Sequence, residues 1–152
     1  MKKKILLGFL ITIIVAQFFR PDTTNPESDP ELDFVTIVQP SEEIASVLKT
    51  SCYDCHSNQT EYPWYMQISP VSWWIKDHID EGREELNFSD WGAYSAKRQK
   101  HKLDECIELI EEGEMPLDSY TWTHGDASLD ENTKQLLNEW FLVKMNSIKI
   151  DK

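Results

Sequence analysis

The sequence predicts an all-α domain, and three observations carry that expectation. Apolar residues recur at helical spacing in several separate stretches. Capping residues stand before those stretches, and Gly113 stands after one of them. Nothing reads as a β-hairpin or a β-α-β unit. At 152 residues the chain has room for one domain with a modest core and an appendage. Five glycines and the lack of a repeat period argue against a solenoid or a low-complexity chain.

The appendage comes first. Met1-Lys2-Lys3-Lys4 precedes an uncharged run from Ile5 to Phe19, which Arg20-Pro21 ends. A basic start and an apolar run are what the export machinery reads. Fifteen residues of helix reach roughly 22 Å, short of a hydrocarbon core of ~30 Å. Lys2 to Lys4 and Arg20 can snorkel outward to make up the difference. Ala16 offers a cleavage point, but Ile14 is a poor match to the small residue expected two positions earlier. Residues 1–20 are therefore expected to be a signal anchor, with a cleaved signal peptide as the alternative. Either way the remainder lies outside the cytoplasm, on the periplasmic side of the inner membrane. Residues 21–40 hold Pro21, Pro26, Pro30 and Pro40 among acidic and small polar side chains, and are expected to form an extended linker with a short β-like segment at Phe34 to Val38.

The globular domain is expected over 41–147. Ser41 can cap a helix whose apolar stripe, Ile44, Val47 and Leu48, leads into Cys52. Ser69-Pro70 is a helix start, and Val71, Trp74, Ile75, His78 and Ile79 continue the helical period toward Leu86. A third helix spans about Ser95 to Glu112, with Leu103, Cys106, Ile107 and Ile110 on one face and Gly113 at its end. A capping box at Ser128-Leu129-Asp130-Glu131 opens the last helix, which buries Leu136, Leu137, Trp140 and Phe141.

The most specific motif is Cys52-Tyr53-Asp54-Cys55-His56, the C-x-x-C-H pattern of covalent haem attachment. The three-residue step sets both thiols on one side of a helical turn, where each can add to a vinyl group of the porphyrin. His56 then comes under the iron as the first axial ligand. One covalent haem c is the cofactor expected. The competing fate of the motif outside the cytoplasm is a Cys52–Cys55 disulfide, so haem-attachment machinery has to keep the pair reduced. A zinc site of Cys52, Cys55, His56 and Cys106 is a weaker reading, because adjacent Cys55 and His56 converge poorly on one ion.

For the sixth iron position the sequence offers Met115 first. Gly113 ends a helix and Pro116 biases Met115 toward extended backbone, which projects a thioether from a loop. His124, in Trp122-Thr123-His124-Gly125, is the alternative sixth ligand. His78 lies on an apolar helical face and reads as a core residue. His101 reads as solvated, Met66 and Met145 as core, and Cys106 as an inert buried thiol.

Lys and Arg total 15 against 27 Asp and Glu, a net charge of −12; without Lys2, Lys3, Lys4 and Arg20 the remainder stands at 11 against 27, or −16. Such a charge excludes nucleic acid as a partner and disfavours docking to anionic lipid. It suits a redox partner with a basic docking face.

The chain resembles the exported bacterial haem-binding domain family, a single-haem relative of cytochrome c. The resemblance rests on Cys52 to Asn58, Tyr62-Pro63-Trp64-Tyr65, Pro70-Val71-Ser72-Trp73-Trp74, His78, Glu81-Gly82-Arg83, Leu86-Asn87-Phe88-Ser89, Gly113 to Pro116 and His124. It spans roughly Pro40 to Phe141, and Phe18-Phe19-Arg20-Pro21 also looks like the family's N-terminus. The resemblance implies a cytochrome c-like helical domain with haem on Cys52 and Cys55 and His56 on iron. In it, Trp73, Trp74 and His78 read as core. The function expected is a membrane-tethered electron carrier with His56/Met115 ligation, not an enzyme. The alternative is a haem enzyme or a gas or redox sensor with an open or labile sixth position.

Overall fold

The computed structural model describes residues 1–150. Eight α-helices and four short 3₁₀ turns make up its regular structure, and no strand occurs among the described residues. The helices are α1 (Lys2–Ala16), α2 (Phe34–Val38), α3 (Glu42–Ser51), α4 (Tyr53–His56), α5 (Val71–Glu85), α6 (Ala96–Glu111), α7 (Asp118–Thr121) and α8 (Glu131–Ser147). The all-α expectation holds.

Local chemistry places the ends. Ser41 Oγ accepts from the Ile44 N–H at 3.4 Å and opens α3; Ser95 does the same for α6. Gly113, at φ +75°, takes the left-handed position that stops α6. Two starts differ from expectation. The cap of α8 is Asp130, whose carboxylate accepts from the Thr133 N–H at 2.8 Å, and not Ser128 two residues earlier. Before α5, Ser69 Oγ pairs with Ser72 Oγ at 3.2 Å and caps no backbone N–H, so Pro70 opens the helix.

The core is aromatic. Phe34 is fully buried, stacks on Phe88 at 5.0 Å, and meets Trp91 edge-on at 4.6 Å. Leu48, Leu103, Leu137 and Phe141 fill the rest, with α6 and α8 forming the most extensive helix pairing.

This overturns the β-like expectation for Phe34 to Val38, which is helical. Asp33 caps it, accepting from the Val35 N–H at 2.9 Å, and a single helical turn is enough to aim Phe34 inward. Further upstream, Asn25 donates to the Thr60 carbonyl at 2.9 Å and accepts from Arg83 at 3.0 Å. Much of the segment 21–40 is thus pinned to the domain.

Helix α1 packs none of its side chains into the core. Among the described residues no helix is long and apolar enough to cross a membrane.

Candidate functional site

Helix α3 delivers the motif. The Cys52 N–H closes its last turn on the Leu48 carbonyl, and the backbone then bends at Cys52 (φ −128°, ψ −41°) into the single turn of α4. The Cys55 and His56 N–H groups both return to the Cys52 carbonyl, at 3.2 and 2.9 Å. One turn therefore carries both thiols and the imidazole.

The two intervening residues lock that turn from opposite sides. Tyr53 is buried, stacks on Phe88 at 5.2 Å, and donates its hydroxyl to Asp33 at 3.1 Å. Burial, reinforced by the Asp33 charge, raises the phenol's pKa and keeps it a donor. Asp54 accepts from the Tyr120 hydroxyl at 2.8 Å and from the Glu61 N–H at 2.9 Å.

Helix α5 orients His56. Its Nδ1 lies 2.9 Å from the Gly82 carbonyl and 3.1 Å from the Leu86 carbonyl. Two acceptors at one nitrogen require the proton there, which leaves Nε2 with its lone pair free. Burial lowers the His56 pKa, more strongly than the two carbonyls raise it, so the ring is neutral, the state a metal needs. The approach depends on Gly82: a Cβ there would stand 2.9 Å from the Cys55 carbonyl oxygen. One residue on, Arg83 donates to the Ser57 carbonyl at 2.7 Å and to Thr60 Oγ1 at 2.8 Å, holding the chain that leaves the motif. Asn58 is fixed by Ser89 and Asn87, both buried.

Cys52, Cys55 and His56 line a cavity of about 720 Å³. That volume falls in the ~300–1,000 Å³ range of small-molecule and cofactor sites. Leu86, Phe88, Leu109, Ile110, Leu129 and Phe141 give it an apolar floor, while Glu81, Glu85, Glu105, Glu108 and Glu112 stand around it with Lys102. Lys102 Nζ pairs with Glu105 at 2.6 Å and Glu85 at 3.3 Å. A large apolar cavity with two thiols and a free imidazole nitrogen on one turn of its wall fits a haem group. Burial pushes the Cys52 thiol up to about 12, with the Cys55 charge adding to it. Cys55 rises to about 11 through burial and Asp54, with Arg83 opposing.

Met115 reaches the cavity from the loop between α6 and α7, with its N–H and that of Glu114 both tied to the Leu109 carbonyl. His124 does not line it. Its ring stacks on Tyr120 at 4.2 Å and lies 3.3 Å from the Tyr65 hydroxyl. The histidine that does share the cavity is His78, one helical turn before Gly82 on α5, and it is a wall residue rather than a core one. Trp73 and Trp74 are also not core, being 43% and 49% exposed, because the buried stripe of α5 runs through Ser72 and Ile79. Cys106 lines the cavity as well, and burial followed by the Cys52 charge raises its pKa. Among the described residues no three His, Cys, Asp or Glu side chains converge as a metal site, so the four nominal zinc ligands do not meet. Met66 is buried, and His101 is an exposed partner of Glu105 at 3.3 Å.

Residue spacing alone assigns no role to Gly82, Arg83 or Tyr120. A glycine inside an otherwise regular helix is the available signal for the first; the other two act through contacts to distant segments.

A family model described as a haem-binding domain matches residues 11–142. No curated protein and no solved structure matches the chain. With the match covering most of its length and the cavity wall carrying the C-x-x-C-H turn, this chain belongs to the haem-binding domain family.

Proposed function

We propose that the protein is a c-type monohaem electron carrier held at the periplasmic face of the inner membrane by α1. The observation that carries this reading is the His56 ring, fixed through Nδ1 by two carbonyls and leaving Nε2 free on a wall shared with Cys52, Cys55 and Met115.

Cys52 and Cys55 would hold the haem, each thiol adding across a vinyl double bond to form a thioether with no net oxidation. His56 Nε2 and the Met115 thioether would hold its iron. When bound, haem supplies one-electron Fe(II)/Fe(III) chemistry. The chain's own part is placement and environment. Two protein ligands leave no position for substrate. Leu86, Phe88, Ile110 and Phe141 keep water away, which together with the soft sulfur favours the ferrous state. The glutamates lining the cavity act in the opposite sense, favouring ferric charge.

The preference for Met115 over a histidine rests on its coming from a different wall. His78 shares the α5 face that fixes His56 through Gly82, whereas Met115 comes from the loop beyond α6. The glutamates that line the cavity favour a redox partner with a basic face, and transfer rates with it fall as ionic strength rises.

The test is the visible spectrum of the full chain, produced with haem-attachment machinery, against Met115→Ala. The wild type is expected to show a methionine-to-iron charge-transfer band and to resist carbon monoxide, and the variant to lose both properties. An unchanged spectrum in the variant would contradict Met115 ligation, and the same comparison with His78→Ala would then identify the ligand.

A further inference from the structure

Helix α1 does not lead to a free tether; its outer end is clamped to the domain. Gln17 at that end donates to the Ser69 carbonyl at 2.8 Å and accepts from the Ser69 N–H at 3.1 Å. The Trp73 indole donates to the Phe19 carbonyl, and Arg20 reaches Gln67 at 3.3 Å.

The segment so clamped has an unusual composition for this chain. Between Glu61 and Lys76, the stretch Tyr62 to Ile75 carries no charged residue, although 28% of the chain is Asp, Glu, Lys or Arg. Apart from Met66, which is buried, and Ile75, which is half-buried, its large apolar side chains lie outside. Trp64 is 76% exposed, and Ile68, Val71, Trp73 and Trp74 are exposed as well. Phe18 and Phe19, just past the end of α1, are exposed too, and the Phe19 carbonyl meets Trp73.

From this we infer that the face formed by Trp64, Ile68, Val71, Trp73 and Trp74 lies in the lipid–water interface of the bilayer that α1 enters. The inference rests on the reading of α1 as membrane-inserted. Three considerations select lipid as the occupant. The face is continuous with the apolar surface of α1, through a clamp of four hydrogen bonds. Tryptophan is the side chain enriched at that depth, where its ring meets apolar chains and its N–H meets water. The rest of the domain is strongly acidic and is repelled by anionic headgroups, so the uncharged segment is where approach costs least.

The arrangement also accounts for an α1 of only fifteen residues. A domain seated in the interface adds its own apolar contact to the short helix. It also brings the haem cavity close to the lipid, because His78, a residue of the cavity wall, packs on Trp74 at 4.6 Å.

The experiment uses the full haem-loaded chain in phosphatidylcholine vesicles that contain a phosphatidylcholine with a photoreactive diazirine in the upper acyl chain. Labelled residues are mapped by mass spectrometry. Segment 62–75 is expected to be labelled several-fold above Leu142 and Val143, which are exposed and apolar on α8. Labelling of α1 with 62–75 at the level of Val143 overturns the inference and leaves the anchor standing. Labelling of 62–75 that appears only when the chain is diluted among the vesicles, so that a second copy covers the segment at higher loading, overturns it equally. An unlabelled α1 overturns the anchor reading and this inference with it.

Discussion

The Nδ1 of His56 stands 2.9 Å from the carbonyl oxygen of Gly82, a residue of another helix 26 positions along the chain. That contact determines which ring nitrogen faces the cavity. It exists because α5 passes so close to α4 that only a glycine fits at the crossing.

Gly82→Ala is therefore expected to destabilise the haem-loaded protein. Overpacking at such a contact costs ~1–3 kcal/mol, and the better helix propensity of alanine offsets up to ~1 kcal/mol of it. Urea unfolding followed by absorbance measures the balance. A variant as stable as wild type, with an unchanged spectrum, would show that the close crossing is not needed to place His56.

Asp54 and Tyr120 join the motif turn to the segment after α6. Tyr120→Phe removes the hydroxyl that donates to Asp54 at 2.8 Å. A hydrogen bond to a charged partner at a half-buried position is worth roughly 1–2 kcal/mol. Tyr120→Phe and Asp54→Ala combined should cost less than the sum of the single changes, since each removes the same hydrogen bond. Strict additivity in that cycle would rule the coupling out.

Phe34 separates a domain that begins near residue 33 from one that begins at 41. Phe34→Ala empties a fully buried aromatic site and should cost ~3–5 kcal/mol. Were 21–40 a free linker, the change would leave the unfolding midpoint where it was.

Much of this fold is legible from periodicity and caps. The helices α3, α5, α6 and α8 are readable from their period over several turns, although Val71 and Trp74 on α5 and Leu136 on α8, expected on the buried faces, are exposed; Ser41, Ser95 and Gly113 mark ends by local chemistry alone. Helix α2 is not, because five residues hold too little period to distinguish a helical turn from a strand, and a proline-rich context suggests a tether. Trp73 and Trp74 mislead for a related reason. Apolar character signals burial only on average, and here the buried stripe passes through small Ser72. At the site, the C-x-x-C-H turn can be read from spacing. Gly82, Arg83 and Tyr120 cannot, since their value lies in contacts to residues far off in the chain. His78, expected in the core, lines the cavity while His124 does not, for the same reason: only the path of α5 brings one to the cavity.

The thiols give a pH dependence. Burial raises Cys52 to about 12 and Cys55 to about 11, so in the haem-free chain both are fully protonated at neutral pH. The folded state then holds protons that the unfolded state releases above an ordinary thiol pKa of ~8.5. Stability conferred by these thiols is accordingly present below that value and is lost as pH rises toward 11 and 12. Alkylation at neutral pH should be slow, with Cys55 reacting ahead of Cys52. The alkaline loss should disappear from Cys52→Ser/Cys55→Ser. Rapid labelling of Cys52 at neutral pH, or an alkaline profile that the double variant shares, would contradict the raised thiol pKa values.

The central claim, that Cys52 and Cys55 hold one haem covalently with His56 beneath its iron, is tested most directly by intact mass. The full chain is purified from a host with haem-attachment machinery and extracted with acidified organic solvent before weighing. The account predicts a polypeptide heavier than its sequence by one haem, an increment that Cys52→Ala/Cys55→Ala abolishes. A chain at its bare sequence mass, with the pigment in the solvent or with no pigment at all, would contradict it.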